Sequence, residues 1–381
     1  MIGLIVLLML VIGVPAFAVV AVVALHAYAR AELDPALLVI GFSDLGDHVQ
    51  LLAVPLISFV VAMLGREEWR RWAHFLASSA DRVRPGPNPA TLFWPLLFAL
   101  AAACAVAVSL IVPAILYSVI AAVAAPWCAV SAEALVVAAL VPVTLVMAVV
   151  ACLPGLERYL KRVSPPASAE APGAGRHLSD LLVALLVVGG VVAGRATVVD
   201  VALLGTVWMV VTRLFVFREL TWRQLLAKAN RAVIASAVIL LIAGLAMPWA
   251  AMVNDAGLLR AMGEAFGPAP GSQIAFLVVL NLLLLSAGLL LGVQVGVMLL
   301  TPLVVPLGLW FGLEGVHLGV VCLAGLLIGR ALVPLARSVT HCVPGDRGDA
   351  LLAGLRVLSL PVVLILLLVS GAPMLMAWLV H

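Results

Sequence analysis

From Thr91 to Ala125 the chain runs without a single acidic or basic side chain. A run of that length and polarity is stable only in lipid, and there as helix, because every backbone N–H and C=O must be satisfied within the segment. At about 1.5 Å per helical residue it is longer than the roughly 30 Å hydrocarbon core of a bilayer. It either tilts and kinks, with Pro95 and Pro113 inside it, or turns back within the membrane. The whole chain has the same character: 65% of its 381 residues are hydrophobic, 10% are charged, and the mean hydropathy is +1.27. A soluble domain of this size needs more charge on its wetted surface. A β-barrel would alternate polar and apolar residues in short segments, whereas these runs are continuous. The chain reads as an all-α, polytopic helical membrane protein.

The other runs follow in order. Ile2–Tyr28 is a retained first span: Ala27-Tyr28-Ala29 resembles a cleavage site, but no basic start precedes it. Leu51–Leu64 is short for a straight crossing and borrows flanking residues. Ala129–Leu153, Leu178–Ala193, Val198–Val211, Val233–Val253, Ile274–Leu291 and Leu351–Val380 are the further spans. With the interrupted stretch at 299–337 they make roughly ten crossings or partial crossings. Basic loops at Arg66–Arg84, Arg158–Arg162 and Arg213–Arg231 are expected in the cytoplasm, and the acidic loop with Glu32, Asp34, Asp44 and Asp47 outside. The N-terminus is then inside. Thr221 reads as the cap of a helix that starts within the third basic loop.

Ser164–Arg176, rich in proline, alanine, glycine and serine, is a linker. It divides the chain into a first membrane half, 1–163, a linker at 164–177, and a second half, 178–381. Two-halved carriers are common among membrane proteins, although no internal sequence repeat stands out here.

A net charge of +3 does not point to nucleic acid. The five cysteines form no CxxC pair, and neither a zinc site nor a disulfide framework is suggested. No P-loop and no HExxH is present, so an enzyme is not expected. The informative residues are ionisable groups inside apolar runs, costly at membrane depth unless paired or wet. Arg330 is the sharpest: its guanidinium fork matches a carboxylate in two-point contact, or it snorkels to the interface. Pro302, Pro306 and Pro334 interrupt the apolar stretch around it, and a helix breaks at membrane depth only where protein or a wet cavity takes up the freed backbone groups. Arg195 and Asp200 stand at a helix junction and are expected to pair. Gly288, Gly292 and Gly296 are spaced four apart and suggest a packing seam. Thr301 and Gln294 are weaker polar marks, and a helical threonine often bonds only its own backbone. Glu133 reads as a wet helix end and Arg337 as interfacial.

Several stretches carry a family resemblance. Val216–Leu225, VFRELTWRQL, is similar to the VYRELTLRDL loop of the large membrane subunit of tripartite ATP-independent periplasmic (TRAP) transporters. Leu299–Pro306 with Glu314–Val321 resembles that family's ILTPLLLPV and IDPVHFGII segments, Asn281–Gly288 its NLLLLLLG, and Pro113–Ser118 its PMILYG. The resemblance implies an elevator carrier of organic acids. It further implies a small four-helix membrane subunit and a periplasmic solute-binding protein as partners, membrane lipid around it, and the bacterial inner membrane as its place. It implies no cofactor apart from a coupling sodium ion. Its hairpin positions correspond here to Gly325–Ala336 and Gly189–Val201, where Arg330 intrudes, Thr197 survives, and Asp200 stands at the family's glutamate. The first-half hairpin shrinks to a segment in which only Ser109 is polar. On this basis Arg330, Thr301 and Thr197 are the substrate-binding candidates, and Ser109 and Asp200 the ion-binding ones. The missing hairpin oxygens argue against ordinary sodium coupling. The leading expectation is a subunit that moves a small organic anion. The alternative is a non-transporting paralogue that scaffolds or regulates a membrane complex.

Overall fold

The computed structural model describes residues 45–64, 90–125, 128–140, 174–255 and 272–340, and isolated residues before them. The spans expected at Ile2–Tyr28 and Leu351–Val380, most of the linker and the first two basic loops lie outside the described residues. Among those described there is helix and no strand. Helix α1 is Ala53–Met63, α2 Ala90–Ala124, α3 Ala174–Val192, α4 Val198–Val211, α5 Trp222–Asp255, α6 Ser272–Leu290, α7 Val293–Trp310 and α8 Gly315–Thr340. Residues 132–140, between α2 and α3, are helical as well. Windows in α2, α4, α5, α6 and α7 are long and apolar enough to cross a membrane.

The charge-free run is one helix, α2, so it does not turn back on itself between Ala90 and Ala124. Pro113 sits inside it with a buried environment on either side. The short Leu51–Leu64 run extends by a 3₁₀ turn at Val49–Leu52 that feeds α1, which is the borrowing expected of it. Helix α4 matches its expected limits, while α5 begins eleven residues earlier than the expected Val233, at the Thr221 cap.

The chain forms two compact units. One takes 52–112 and 139–236, the other 1–51, 113–138 and 237–381. Residues on both sides of the linker therefore contribute to each. In the first unit α4 packs against α1 and α3. Gly205 of α4 lies against Val187 and Val183 of α3 and Val60 of α1, where a larger residue would have no room. Lys228 reaches the carbonyl of Met63, 3.3 Å away, at the end of α1. A cation is favourable there because the last carbonyls of a helix lack intrahelical donors.

In the second unit α6, α7 and α8 pack on one another. The rings of Phe276, near the start of α6, and Phe311, just past the end of α7, stack with centroids 4.9 Å apart. The two helices thus run back alongside each other from the turn at Leu291–Gly292. Gly292 holds φ +83°, a conformation that a Cβ disfavours, so it ends α6 and starts α7. The glycine seam is therefore split between two helices: Gly288 of α6 meets the Leu326 backbone and Gly296 of α7 meets the Leu326 side chain. Gly329 of α8 returns the contact by facing the Leu285 carbonyl. Lipid is as apolar as leucine, so close backbone approach of this kind holds helices together better than bulk would.

Pro302 and Pro306 lie within α7 without ending it. The interruption falls instead at Phe311–Glu314, where Gly312 has φ +75°. Each proline removes a backbone donor that would reach four residues back. In the turn before Pro302 the indole N–H of Trp249, from α5, donates to the Leu299 carbonyl at 3.0 Å.

Candidate functional site

Four of the five candidate residues lie at or inside helices that cross or approach the membrane; Thr197 caps one. Arg330 is on α8, where its neighbours Gly329 and Leu326 are buried and its own side chain is exposed. Leu326, one turn earlier on the same side of α8, meets Gly288 and Gly296, so Arg330 emerges just past that contact. Thr301, on α7, is fully buried, and its hydroxyl donates to the Val297 carbonyl at 2.6 Å. Having given its one proton, that hydroxyl can only accept.

Thr197 and Asp200 are brought together at the start of α4. The Thr197 hydroxyl donates to Asp200 Oδ2 at 2.7 Å and accepts from the Asp200 N–H at 3.3 Å. The Thr197 N–H donates to the same carboxylate at 3.0 Å. This is a capping box: two backbone donors that the helix start leaves open are satisfied reciprocally. The carboxylate thus meets Thr197, a different partner from the Arg195 expected of it. Ser109, on α2, is exposed. Thr301 and Arg330 belong to one compact unit, and Ser109, Thr197 and Asp200 to the other.

Sequence reasoning gave no sign of a second charged feature, at the end of α4. Residues Thr212–Val216 form a π-helical turn, with the Phe217 N–H donating to the Thr212 carbonyl at 2.8 Å. The Arg213 carbonyl accepts from the Glu219 N–H at 3.0 Å. The Arg213 guanidinium lies 3.3 Å from Glu219 Oε2, with the two side chains only 6% and 9% exposed. Between them Arg218 takes φ +51°, rare for a residue with a Cβ. An arginine and a glutamate six apart in a basic loop look solvated in sequence; only the wide turn folds them inward. The α5 cap behaves as expected: the Thr221 N–H donates to Gln224 Oε1 at 3.1 Å and the Gln224 N–H to the Thr221 hydroxyl at 3.4 Å.

Glu133 is half-buried near the start of the helical stretch at 132–140, and Gln294 is exposed at the start of α7. Arg337 continues α8. His317, in the first turn of α8, is 1% exposed. Around it the helix is hemmed in: the Tyr117 hydroxyl donates to the Gly315 carbonyl at 3.0 Å, and Gly319 faces Leu135 and Tyr117. Ser118, next to Tyr117, reaches Gln50 at 3.3 Å. The segment Glu314–Val321, one of the stretches that carries the resemblance, is therefore built into the core of its unit.

Comparison with known proteins places these features. Residues 94–340, nearly two thirds of the chain, match the family model of the tripartite ATP-independent periplasmic transporter, DctM component. The C4-dicarboxylate TRAP transporter large permease protein of Rhodobacter capsulatus is 29% identical over 159 residues, 41% of this chain and 35% of that protein. A putative dicarboxylate transporter subunit of Paracoccus pantotrophus is 29% identical over 201 residues, 52% of this chain and 96% of that protein. The sialic acid TRAP transporter large permease protein of Vibrio cholerae is 25% identical over 197 residues, 51% of this chain and 46% of its own length. Apart from the Paracoccus protein, these matches span half or less of the relatives' length. The family model takes in most of α2, parts of both units and the helices around Thr301 and Arg330, so this chain belongs to the DctM component family of the tripartite ATP-independent periplasmic transporters.

Proposed function

We propose that the chain is the membrane subunit of a secondary transporter that carries a small organic anion, a carboxylate, across the inner membrane. A periplasmic binding protein would deliver the solute, and a small membrane subunit would complete the complex. The observation that carries this reading is the family match over residues 94–340. Relatives are named for dicarboxylate, sialic acid and isethionate transport, all anionic cargoes. Arg330 is the residue we assign to the anion. Its fork suits a carboxylate, and its side chain is exposed among buried and half-buried residues of α8. Thr301 and Thr197 have already given their hydroxyl protons away, so neither is a donor to the carboxylate in this state. Their part in binding would require those bonds to be exchanged as the carrier moves.

Coupling to sodium is expected to be absent. The ion needs several oxygen ligands, the hairpin oxygens that supply them in the family are missing from this sequence, and Oδ2 of Asp200 already accepts the bonds of the α4 cap. The deciding experiment is uptake of a labelled C4-dicarboxylate into proteoliposomes holding the chain and its partner subunits. Arg330→Gln should abolish uptake, and Arg330→Lys should retain part of it. Uptake by Arg330→Gln with unchanged affinity rejects the role. Replacing external sodium by potassium should leave the initial rate unchanged.

The same two threonines favour a second reading, a non-transporting paralogue that scaffolds a membrane complex. If the reconstituted wild-type complex neither binds nor moves any organic acid, that second reading takes over.

A further inference from the structure

We propose that the connection from Thr212 to Arg223 is a docking surface for the headgroup of an anionic phospholipid. The inference rests on the membrane helices alone and stands whether or not the chain transports a solute. Two helices that each contain an apolar window suited to membrane crossing, Val198–Val216 and Trp222–Ala250, flank this connection. Only five residues, 217–221, separate them. A link so short between two membrane helices sits at the bilayer surface, at headgroup depth.

Its charges are arranged to face outward with one sign. From Val201 to Asn254 the single acidic residue is Glu219, against Arg213, Arg218, Arg223, Lys228 and Arg231. Glu219 is turned inward onto Arg213, and Lys228 reaches the Met63 carbonyl. The three remaining cations, Arg218, Arg223 and Arg231, are exposed. The buried pair thus removes the acid that would otherwise offset them, and the wide turn it closes puts Arg218 in its left-handed conformation on the surface.

Beside these cations stand large exposed rings and an aliphatic side chain. Phe215 is 60% exposed, Trp222 62% and Leu226 65%. Guanidinium groups match phosphate in two-point contact, while tryptophan prefers the boundary between headgroup and acyl chain. Cations with interleaved rings at this depth complement a phosphate that carries acyl chains. They suit a free anion less, because it would leave the rings uncovered.

The test uses the full chain in neutral detergent micelles, titrated with phosphatidylglycerol while thermal unfolding is followed. Phosphatidylglycerol should raise the unfolding temperature; phosphatidylcholine and glycerol phosphate should not. In Arg218→Gly with Arg223→Gln, the lipid needed for half of the shift should rise about 30-fold, as expected for two cations lost near an anionic surface. Glycine accepts the left-handed backbone at position 218, so that change removes charge without strain. Arg218→Lys with Arg223→Lys should restore most of the response, and Arg195→Gln, an exposed arginine ahead of α4, should leave it unchanged. Arg223→Gln alone, at an exposed helix position, should cost about fivefold and carries the test if the double variant does not fold. An equal shift with phosphatidylcholine, a shift reproduced by glycerol phosphate, or an unaltered response in the variants would each overturn the proposal. So would a membrane protein whose co-purification depends on Arg218 and Arg223 while the lipid response does not.

Discussion

Thr197 and Asp200 show how a polar residue at a membrane helix start acquires a structural duty. Their mutual bonds anchor the first turn of α4, and Thr197→Ala should cost about 1 kcal/mol, with Thr197→Ser recovering much of it. Denaturation in detergent checks both. The pattern Thr-x-x-Asp is readable as a cap, as is Thr221-x-x-Gln224. The sequence reading takes the second as a cap and the first as ligand contacts, because the first lies where the related transporters place polar hairpin residues. The Arg213–Glu219 pair was not legible. A π-helical turn has no signature in hydrophobic period, and the local excess of arginine suggests solvent. Its burial leads to a sharper expectation: Arg213→Met strands Glu219 and should destabilise by about 3–5 kcal/mol, whereas Arg213→Met with Glu219→Gln should recover most of that loss. Equal loss in both variants would show that the pair's attraction, not an orphaned charge, is what matters.

At the scale of the element, helix limits were more legible than interruptions. Apolar runs mark α4 and α6 nearly to the residue, because a helix in lipid ends where polar atoms resume. Prolines mislead in α7, where Pro302 and Pro306 sit within a continuous helix and, in the turn before Pro302, the Trp249 indole N–H donates to the Leu299 carbonyl. Trp249→Phe should cost about 1 kcal/mol, as the loss of one hydrogen bond does. The seam between α6 and α8 is stricter. At Gly288 an added methyl meets the Leu326 backbone, which cannot rotate away. Gly288→Ala should lower stability by about 1–3 kcal/mol. Gly189, on α3, faces open space, and Gly189→Ala should be neutral or raise stability by up to about 1 kcal/mol through helix propensity. Comparable losses at both glycines would refute the seam.

For the molecule as a whole, lipid exposure explains a surface that water would not sustain. Ile274, Val278 and Leu282 follow one another along α6 at helical spacing, all largely exposed. Cys128 and Cys322 lie on the opposite side of that logic, buried within their unit. In a chain whose Cys104, Cys152 and Cys342 are changed to serine, a membrane-permeable maleimide should leave the folded protein unlabelled and modify two thiols after denaturation. Rapid labelling of the folded protein would contradict the packing around α8. That the chain is an all-helical membrane protein is legible from composition alone, and its family from a few short stretches. The grouping of its residues into two interleaved compact units is not, because it depends on contacts between segments far apart in sequence.

Leu326 serves two helices at once, touching Gly288 through its backbone and Gly296 through its methyl groups. The second contact can be renegotiated by trading volume, and the first cannot. A genetic screen starting from Gly296→Ala should therefore yield suppressors that shrink position 326, Leu326→Val foremost, while Gly288→Ala should find no rescue there. Natural sequences bearing alanine at 296 are expected to carry the smaller residue at 326 for the same reason.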